Sequence, residues 1–132
     1  MKPTCTHVAL FCRDIEASVA FYVEHVGLHE VHRRVDDGTT VVWMGEDSRK
    51  DVFVIVLLGI PHPAGEGPVA HLGYAMSARE DVDAAADRAR ASGIEVQGPV
   101  HAGPIVGYFC MLRDPDGNWV EMSHGQSLGP DH

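Results

Sequence analysis

Thr6-His7-Val8-Ala9-Leu10 forms the first apolar run of the chain, and Ala70-His71-Leu72-Gly73-Tyr74 forms an equivalent run with its histidine 64 residues later. Both runs predict β-strands. Around them the same order of predicted elements occurs twice: strand, helix, strand, strand, strand. A duplication of this kind predicts two paired βαβββ modules in an α+β fold, with the two histidines at equivalent positions.

The first module is predicted over about residues 4–60. Asp14 is a plausible helix N-cap with Glu16 in the first turn, and Gly27 is a natural helix end. Asp36-Asp37-Gly38 is a strong hairpin signal. The strands of this module are predicted at Thr4–Cys12, Leu28–Val35, Thr39–Met44 and Asp51–Ile60.

The second module is predicted over about residues 69–124, after a proline-containing linker at 61–68. Ser77 and Glu80 have the spacing of a capping box, and Gly93 predicts the end of the helix that follows. The strands of this module are predicted at Val69–Ser77, Ile94–Val100, Val106–Arg113 and Trp119–Ser123. Residues 1–132 are therefore predicted to form a single domain.

Composition excludes several classes of partner. The chain has 132 residues and a net charge of −9, with no large basic cluster, which argues against nucleic acid and anionic membranes. The longest apolar run, Val52–Ile60, is too short to span a bilayer, and the N-terminus carries no signal peptide. Three cysteines without a C-x-x-C pair favour packed thiols in a reduced compartment. The protein is predicted to be cytoplasmic.

Three residues in predicted strands could bind a metal ion. Side chains in a strand alternate between faces, so His7 and His71 are each predicted to lie beside small residues, on the face opposite the helices. Glu121 lies within the apolar strand 119–123, where a buried carboxylate is costly unless it is paired or bound to a metal. A lone strand histidine is more often a packed residue. Two equivalent histidines with one carboxylate nevertheless favour a metal site formed by His7, His71 and Glu121.

The sequence resembles the vicinal oxygen chelate superfamily, which includes glyoxalase I, extradiol dioxygenases, fosfomycin thiol transferases and bleomycin-binding proteins. The resemblance covers residues 4 to about 123. It rests on His7-Val8-Ala9-Leu10 before the segment Asp14–Tyr22, on His71, and on Asp114-Pro115-Asp116-Gly117-Asn118-Trp119-Val120-Glu121. It implies paired βαβββ modules that form a U-shaped mixed sheet around a central cavity, and a divalent metal that binds oxygens of the substrate.

The number of protein ligands indicates which groups of the superfamily this sequence resembles most. Glyoxalase I and methylmalonyl-CoA epimerase carry a fourth protein ligand, which in glyoxalase I is a glutamate at the equivalent of Glu121 in the first module. That position is predicted here at Leu57 or Ile55, within the apolar run Val52–Ile60. Two histidines and one glutamate instead resemble the ligands of the extradiol dioxygenases and the fosfomycin thiol transferases. Iron(II) or manganese(II) is favoured, and zinc, nickel and cobalt are also compatible.

Neither of these two groups matches fully. Extradiol enzymes have a tyrosine at the position that Met111 occupies here, and Tyr108 lies three residues earlier. His101 is a loose candidate for their acid/base histidine. The fosfomycin enzymes continue with a long basic segment, whereas this sequence ends eleven residues after Glu121. The predicted catalytic residues are therefore Glu121, Tyr108 and His101.

These observations predict a divalent-metal-dependent enzyme acting on a small oxygen-rich substrate, with a homodimer as the expected assembly. Two alternatives remain open. One is a metal-free binding or sequestering protein of the bleomycin-resistance type, and the other is a lactoylglutathione-lyase-like lyase.

Overall fold

The computed structural model describes residues 7–46, 53–59 and 71–126. The chain divides into two compact units, Met1–Ala64 and Gly65–His132. The predicted linker at 61–68 lies outside the described residues, as do Thr4–Thr6, Asp51, Val52 and Ile60 at the ends of predicted strands. In the part of the chain that the structure describes, no helix is both long and apolar enough to cross a membrane.

The first unit contains the strands β1 (Val8–Phe11), β2 (His29–Asp36), β3 (Thr39–Gly45) and β4 (Phe53–Leu58). They form one mixed sheet in the order β1-β4-β3-β2. Strand β1 is parallel to β4, and the other two pairs are antiparallel. The hairpin predicted around Asp36-Asp37-Gly38 is confirmed, with β2 and β3 pairing from Asp36 opposite Thr39.

The helix of the first unit begins and ends where local signals place it. Helix α1 (Ile15–Phe21) follows Asp14, whose side chain accepts a hydrogen bond from the backbone N–H of Ala17 at 3.1 Å. A π-helical turn over Tyr22–Val26 continues the helix. This helical segment ends at Gly27, which has a φ of 79°. The predicted N-cap and helix end are therefore confirmed.

An ion-pair cluster ties α1 to β2. Arg33 of β2 donates to both carboxylate oxygens of Glu16, at 2.7 and 2.9 Å, and also to Glu30. These hydrogen bonds hold the pKa of the Glu16 carboxyl below its usual range. Because the cluster is exposed to solvent, its contribution to stability is small.

The second unit repeats this topology with the strands β5 (His71–Ala75), β6 (Val96–His101), β7 (Tyr108–Arg113) and β8 (Trp119–His124). Its sheet has the order β5-β8-β7-β6, with β5 parallel to β8. Helix α2 (Arg79–Ala91) buries four small or branched side chains against one face of this sheet, namely Val82, Ala85, Ala86 and Ala89. The predicted strand–helix–strand–strand–strand order therefore holds in both units.

Two local predictions in the second unit are wrong. Helix α2 is preceded by Ala78, which makes no side-chain capping bond, so the predicted capping box of Ser77 and Glu80 does not form. Glu80 and Asp81 instead place negative charge in the first turn, where it stabilises the helix dipole. A short helix α3 (Gly103–Val106) precedes β7, so Val106 is not part of the predicted strand.

The Cys110 side chain lies between the sheet and α2. Its thiol is fully buried and points toward the backbone carbonyl of Val82, with a sulfur–oxygen distance of 3.9 Å. Burial raises the pKa of the Cys110 thiol to about 11. The thiol therefore stays protonated at neutral pH and is a packing group rather than a nucleophile.

Candidate metal centre

His71 and Glu121 lie on one face of the second sheet. Gly73 and Glu121 are register partners across the parallel β5–β8 pair, and His71 is two residues from Gly73. Because side chains two residues apart share a face, the three positions lie together. The distance from His71 Nε2 to Glu121 Oε2 is 3.8 Å. The structure therefore brings together two of the three predicted ligands.

This pair suits a divalent cation. Two atoms bound to one ion stand apart by at most twice the metal–ligand distance of roughly 2.1 Å, and the His71–Glu121 separation is within that limit. An imidazole nitrogen with a carboxylate oxygen is a donor set for iron, manganese or zinc. His71 is half exposed, whereas the Glu121 side chain is only 8% exposed. The centre would therefore be open on the His71 side.

The carboxylate of Glu121 has a different neighbour at each oxygen. Gln126 donates a hydrogen bond from Nε2 to Oε1 at 2.9 Å. Oε2 lies toward His71 and next to Gly73, where an added Cβ would stand 3.4 Å from it. The absence of a side chain at Gly73 leaves room for the carboxylate at this point.

His7 belongs to the first unit, where it is exposed and directly precedes β1. Strand alternation places it on the same face as Ala9, opposite the buried Leu10. Among residues 7–46, 53–59 and 71–126, no group of three or more His, Cys, Asp or Glu side chains is arranged to hold an ion. Assignment of His7 as the third ligand therefore stays a prediction.

Tyr108 lies on the other face of the sheet from Glu121. It is the register partner of His124, three residues from Glu121, so the two side chains point to opposite faces. Its hydroxyl donates to Asp83 of α2, and Arg79 stacks over its ring at 4.0 Å. The hydrogen bond to Asp83 raises the pKa of Tyr108. This position does not support a role of Tyr108 beside Glu121, and its catalytic assignment stays a prediction.

His101 is also separated from Glu121. It ends β6 as the register partner of Tyr108, so it shares the face that α2 covers. The His101 side chain is exposed, and its Nδ1 is 3.4 Å from the backbone nitrogen of Gly103, which donates to it. The predicted acid/base role of His101 at this centre is therefore not supported by its position.

A buried turn fixes the start of β8 and hence the position of Glu121. Asp114 accepts hydrogen bonds at Oδ1 from the backbone nitrogens of Asp116 and Asn118, at 2.9 and 2.8 Å. Its Oδ2 accepts from the Asn118 side chain at 3.1 Å. Arg113 donates to the Gly117 carbonyl and stacks over Trp119 at 4.0 Å. The Arg113 guanidinium therefore stabilises this turn through its contacts with Gly117 and Trp119.

The register of the sheets locates the position that corresponds to Glu121 in the first unit. Gly73 is paired with Glu121, and the equivalent residue Ala9 is paired with Val56. The equivalent of Glu121 is therefore Val56, between the two residues predicted from the sequence, Ile55 and Leu57. Because valine cannot ligate a metal, no fourth carboxylate ligand stands at this position.

A cluster of two rings and a guanidinium lies on the sheet face of the first unit that also carries Ala9. Trp43 is the register partner of both His32 and Val56, and Val56 is the partner of Ala9. The ring of His32 lies 4.6 Å from that of Trp43, and the Arg34 guanidinium lies 5.5 Å from the Trp43 ring centre. The Arg34 guanidinium also donates from Nε to Asp36 at 2.7 Å. These side chains therefore form an aromatic surface on β2 and β3 whose one guanidinium is balanced by a carboxylate, and strand β4 separates this surface from β1.

Comparison with known proteins agrees with this duplicated fold. The sequence profile described as the Glyoxalase/Bleomycin resistance protein/Dioxygenase superfamily matches residues 4–122. The chain belongs to this superfamily. The resemblance inferred from the sequence is thereby confirmed, as is the α+β fold of glyoxalase type. The superfamily includes many metalloenzymes.

Individual relatives are similar to this superfamily member in sequence or in fold. A protein of Pseudomonas aeruginosa described as uncharacterized is 43% identical over 132 residues, covering 98% of this chain and 94% of its own. A glyoxalase/bleomycin resistance protein/dioxygenase domain from Frankia sp. superposes with a TM-score of 0.79 at 21% identity, covering 98% and 96%. The fosfomycin resistance protein FosX from Listeria monocytogenes gives 0.76 at 18% identity, covering 96% and 97%.

Gln126, which donates a hydrogen bond to Glu121, is a residue of this centre that was not predicted from the sequence. It lies beyond the apolar run of β8, so no strand periodicity relates it to Glu121. The signal that could have found it is Gly125, which allows the chain to turn directly after the strand and has a φ of 82°. The preceding strand carries a carboxylate that needs a donor, and Gln126 is the first amide side chain after this turn.

Proposed function

We propose that this member of the superfamily is a divalent-metal-dependent enzyme that acts on a small oxygen-rich substrate at an open centre formed by His7, His71 and Glu121. The observation that carries the proposal is the His71–Glu121 pair, in which a buried carboxylate lies 3.8 Å from an exposed imidazole. A carboxylate in such a site is costly unless it is paired, hydrogen-bonded or bound to a cation. Gln126 bonds only Oε1, so Oε2 is the oxygen that a cation can use together with His71.

The surroundings of the pair support an open centre. With Val56 at the position that corresponds to Glu121, three protein ligands would leave positions for substrate oxygens. Gly73 and Ala75 leave space on the face that His71 and Glu121 share. When bound, the ion supplies a Lewis acid that polarises substrate oxygens. Iron(II) or manganese(II) fits this donor set best, and zinc, nickel or cobalt is compatible with it.

Each residue has a separate task in this proposal. Glu121 supplies the negative charge that balances the cation, from a buried position that excludes bulk water on its side. His71 supplies a neutral nitrogen at the exposed edge, where the substrate enters. His7 supplies the second imidazole. Three ligands resemble an extradiol-dioxygenase or thiol-transferase centre more than a four-ligand glyoxalase I, and a lactoylglutathione-lyase-like activity is the alternative reaction.

The first test is the metal content after purification without chelators. We expect about one equivalent of a divalent first-row metal per chain, or restoration of that stoichiometry by added Fe(II) or Mn(II). Less than about a tenth of an equivalent, together with no binding of either added ion, would overturn the proposal. Oxygen uptake with catechols, compared with hemithioacetal turnover, then separates the dioxygenase and lyase reactions.

A metal-free binding protein is the second candidate, and the cluster of His32, Trp43 and Arg34 is the observation that favours it. Aromatic rings beside a guanidinium can hold a planar molecule by stacking, without a metal ion. Binding of a planar ligand that is unaffected by chelators would support this candidate and count against the metal centre.

We also propose that the protein is a homodimer, because superfamily proteins often form dimers. The cytoplasmic location predicted from its cysteines is proposed with it. Light scattering on the purified protein is expected to give about twice the chain mass of 14.3 kDa. A mass equal to that of one chain at all concentrations would contradict the dimer.

A further inference from the structure

Gln126 contacts the buried carboxylate of the metal centre directly. Its side-chain nitrogen donates to Glu121 Oε1 at 2.9 Å, and the side chain is partly buried. The other oxygen, Oε2, is the one that lies toward His71. One oxygen is therefore occupied by a neutral donor while the second remains directed at the imidazole.

The backbone that carries Gln126 is held close to β7. An added Cβ at Gly107 would lie 2.5 Å from the His124 carbonyl oxygen and 3.0 Å from the backbone nitrogen of Gln126. Only glycine permits this approach, and its φ of 80° also favours glycine. The ring of His124 in turn contacts the Met76 carbonyl, with Nδ1 at 3.0 Å. Contacts on both sides thus fix the segment that brings Gln126 over Glu121.

A neutral amide is a suitable partner for a carboxylate that must bind a cation. An arginine or lysine at this position would neutralise Glu121 and repel a metal ion. An amide N–H restrains the rotation of the carboxylate and leaves its charge unchanged. Residues that hydrogen-bond to a ligating carboxylate orient it and tune its affinity for the metal.

We propose that Gln126 is a positioning residue for the metal centre: it occupies Oε1 and thereby presents Oε2 of Glu121, beside His71, as a single-oxygen ligand. This inference rests on the proposed metal-dependent function. Gln126 lies outside the three predicted ligands, and Oε2 is the carboxylate oxygen that would face the ion.

The test compares Mn(II) affinity in the wild-type protein and in Gln126→Met, which keeps the length of the side chain and removes its donor. We expect the dissociation constant for Mn(II) to rise roughly 10- to 100-fold. Gln97→Met is the matched control, because Gln97 is an exposed glutamine of β6 in the same unit. Its Mn(II) affinity should equal that of the wild type.

Two outcomes separate the possible explanations. A wild-type protein that binds no Mn(II) defeats the proposed function itself and the inference with it. Wild-type binding with equal affinity in Gln126→Met overturns the inference alone, and a lower thermal stability of the metal-free variant would then show that the role of Gln126 is purely structural.

A second measurement does not depend on metal or on the folding of the Gln126→Met variant. In the metal-free wild-type protein, the Gln126 side-chain amide is expected to show a downfield proton shift and slow exchange compared with Gln97. Both properties should disappear in Glu121→Ala. A Gln126 amide signal with the shift and exchange rate of an exposed glutamine would contradict the contact on which the inference rests.

Discussion

Glu121→Gln is expected to weaken Mn(II) or Fe(II) binding by more than about 100-fold, since even residues that only support a ligand change metal affinity by roughly 10- to 100-fold. The substitution keeps the shape of the side chain and removes only its charge. The affinity is measured by titration of the metal-free protein. Glu80→Gln, in the first turn of α2, is the matched control and should bind the ion like the wild type.

The stability of the same variant distinguishes a metal ligand from a structural carboxylate. Glu121 is 6% exposed, and its neighbour His71 is half exposed, so the contact between them contributes little to stability in the metal-free protein. Removing a buried charge should then leave the free energy of unfolding equal or raise it. A loss of more than about 2 kcal/mol in metal-free Glu121→Gln would show that the carboxylate serves the fold, which would falsify its assignment as a ligand.

Features that depend on a few neighbouring residues could be predicted from the sequence. The Asp14 cap, the Gly27 helix end and the hairpin at residues 36–38 are local, and all three are confirmed. The relation between His71 and Glu121 was also predictable, because a repeated pattern gave the strand order and alternation gave the faces. The Ser77 capping box failed because the cap depends on how the chain leaves β5, which its local spacing does not determine.

The positions of Tyr108 and His101 could not be predicted for a different reason. Five of the six residues of β7, Tyr108-Phe109-Cys110-Met111-Leu112, are apolar or aromatic, so alternation does not reveal which of them face α2. The face is decided by the register with β8, which pairs Met111 rather than Tyr108 with Glu121. His101 lies on the same face as Tyr108, because the two are register partners. An irregularity in β6 between Gln97 and Val100 precedes this pair, so the face of His101 could not be counted along the strand.

Asp114→Ala is expected to lower the free energy of unfolding by about 3 kcal/mol, because it leaves three buried donors without their acceptor. These donors are the backbone nitrogens of Asp116 and Asn118 and the side-chain nitrogen of Asn118. All three residues of this cluster are buried, so water cannot easily replace the lost bonds. Urea-induced unfolding of the metal-free protein measures the loss without any contribution from metal binding.

Two control variants show whether a stability loss in Asp114→Ala comes from the lost hydrogen bonds. Asp114→Asn retains one acceptor oxygen and should lose less stability than Asp114→Ala. Asp87→Ala removes an exposed aspartate of α2 and should change the free energy of unfolding by less than about 0.5 kcal/mol. If Asp114→Ala fell within the same range as Asp87→Ala, the turn would not be what anchors β8. In that case Glu121 would owe its position to the pairing of β8 with β5 and β7 and to the contact with Gln126.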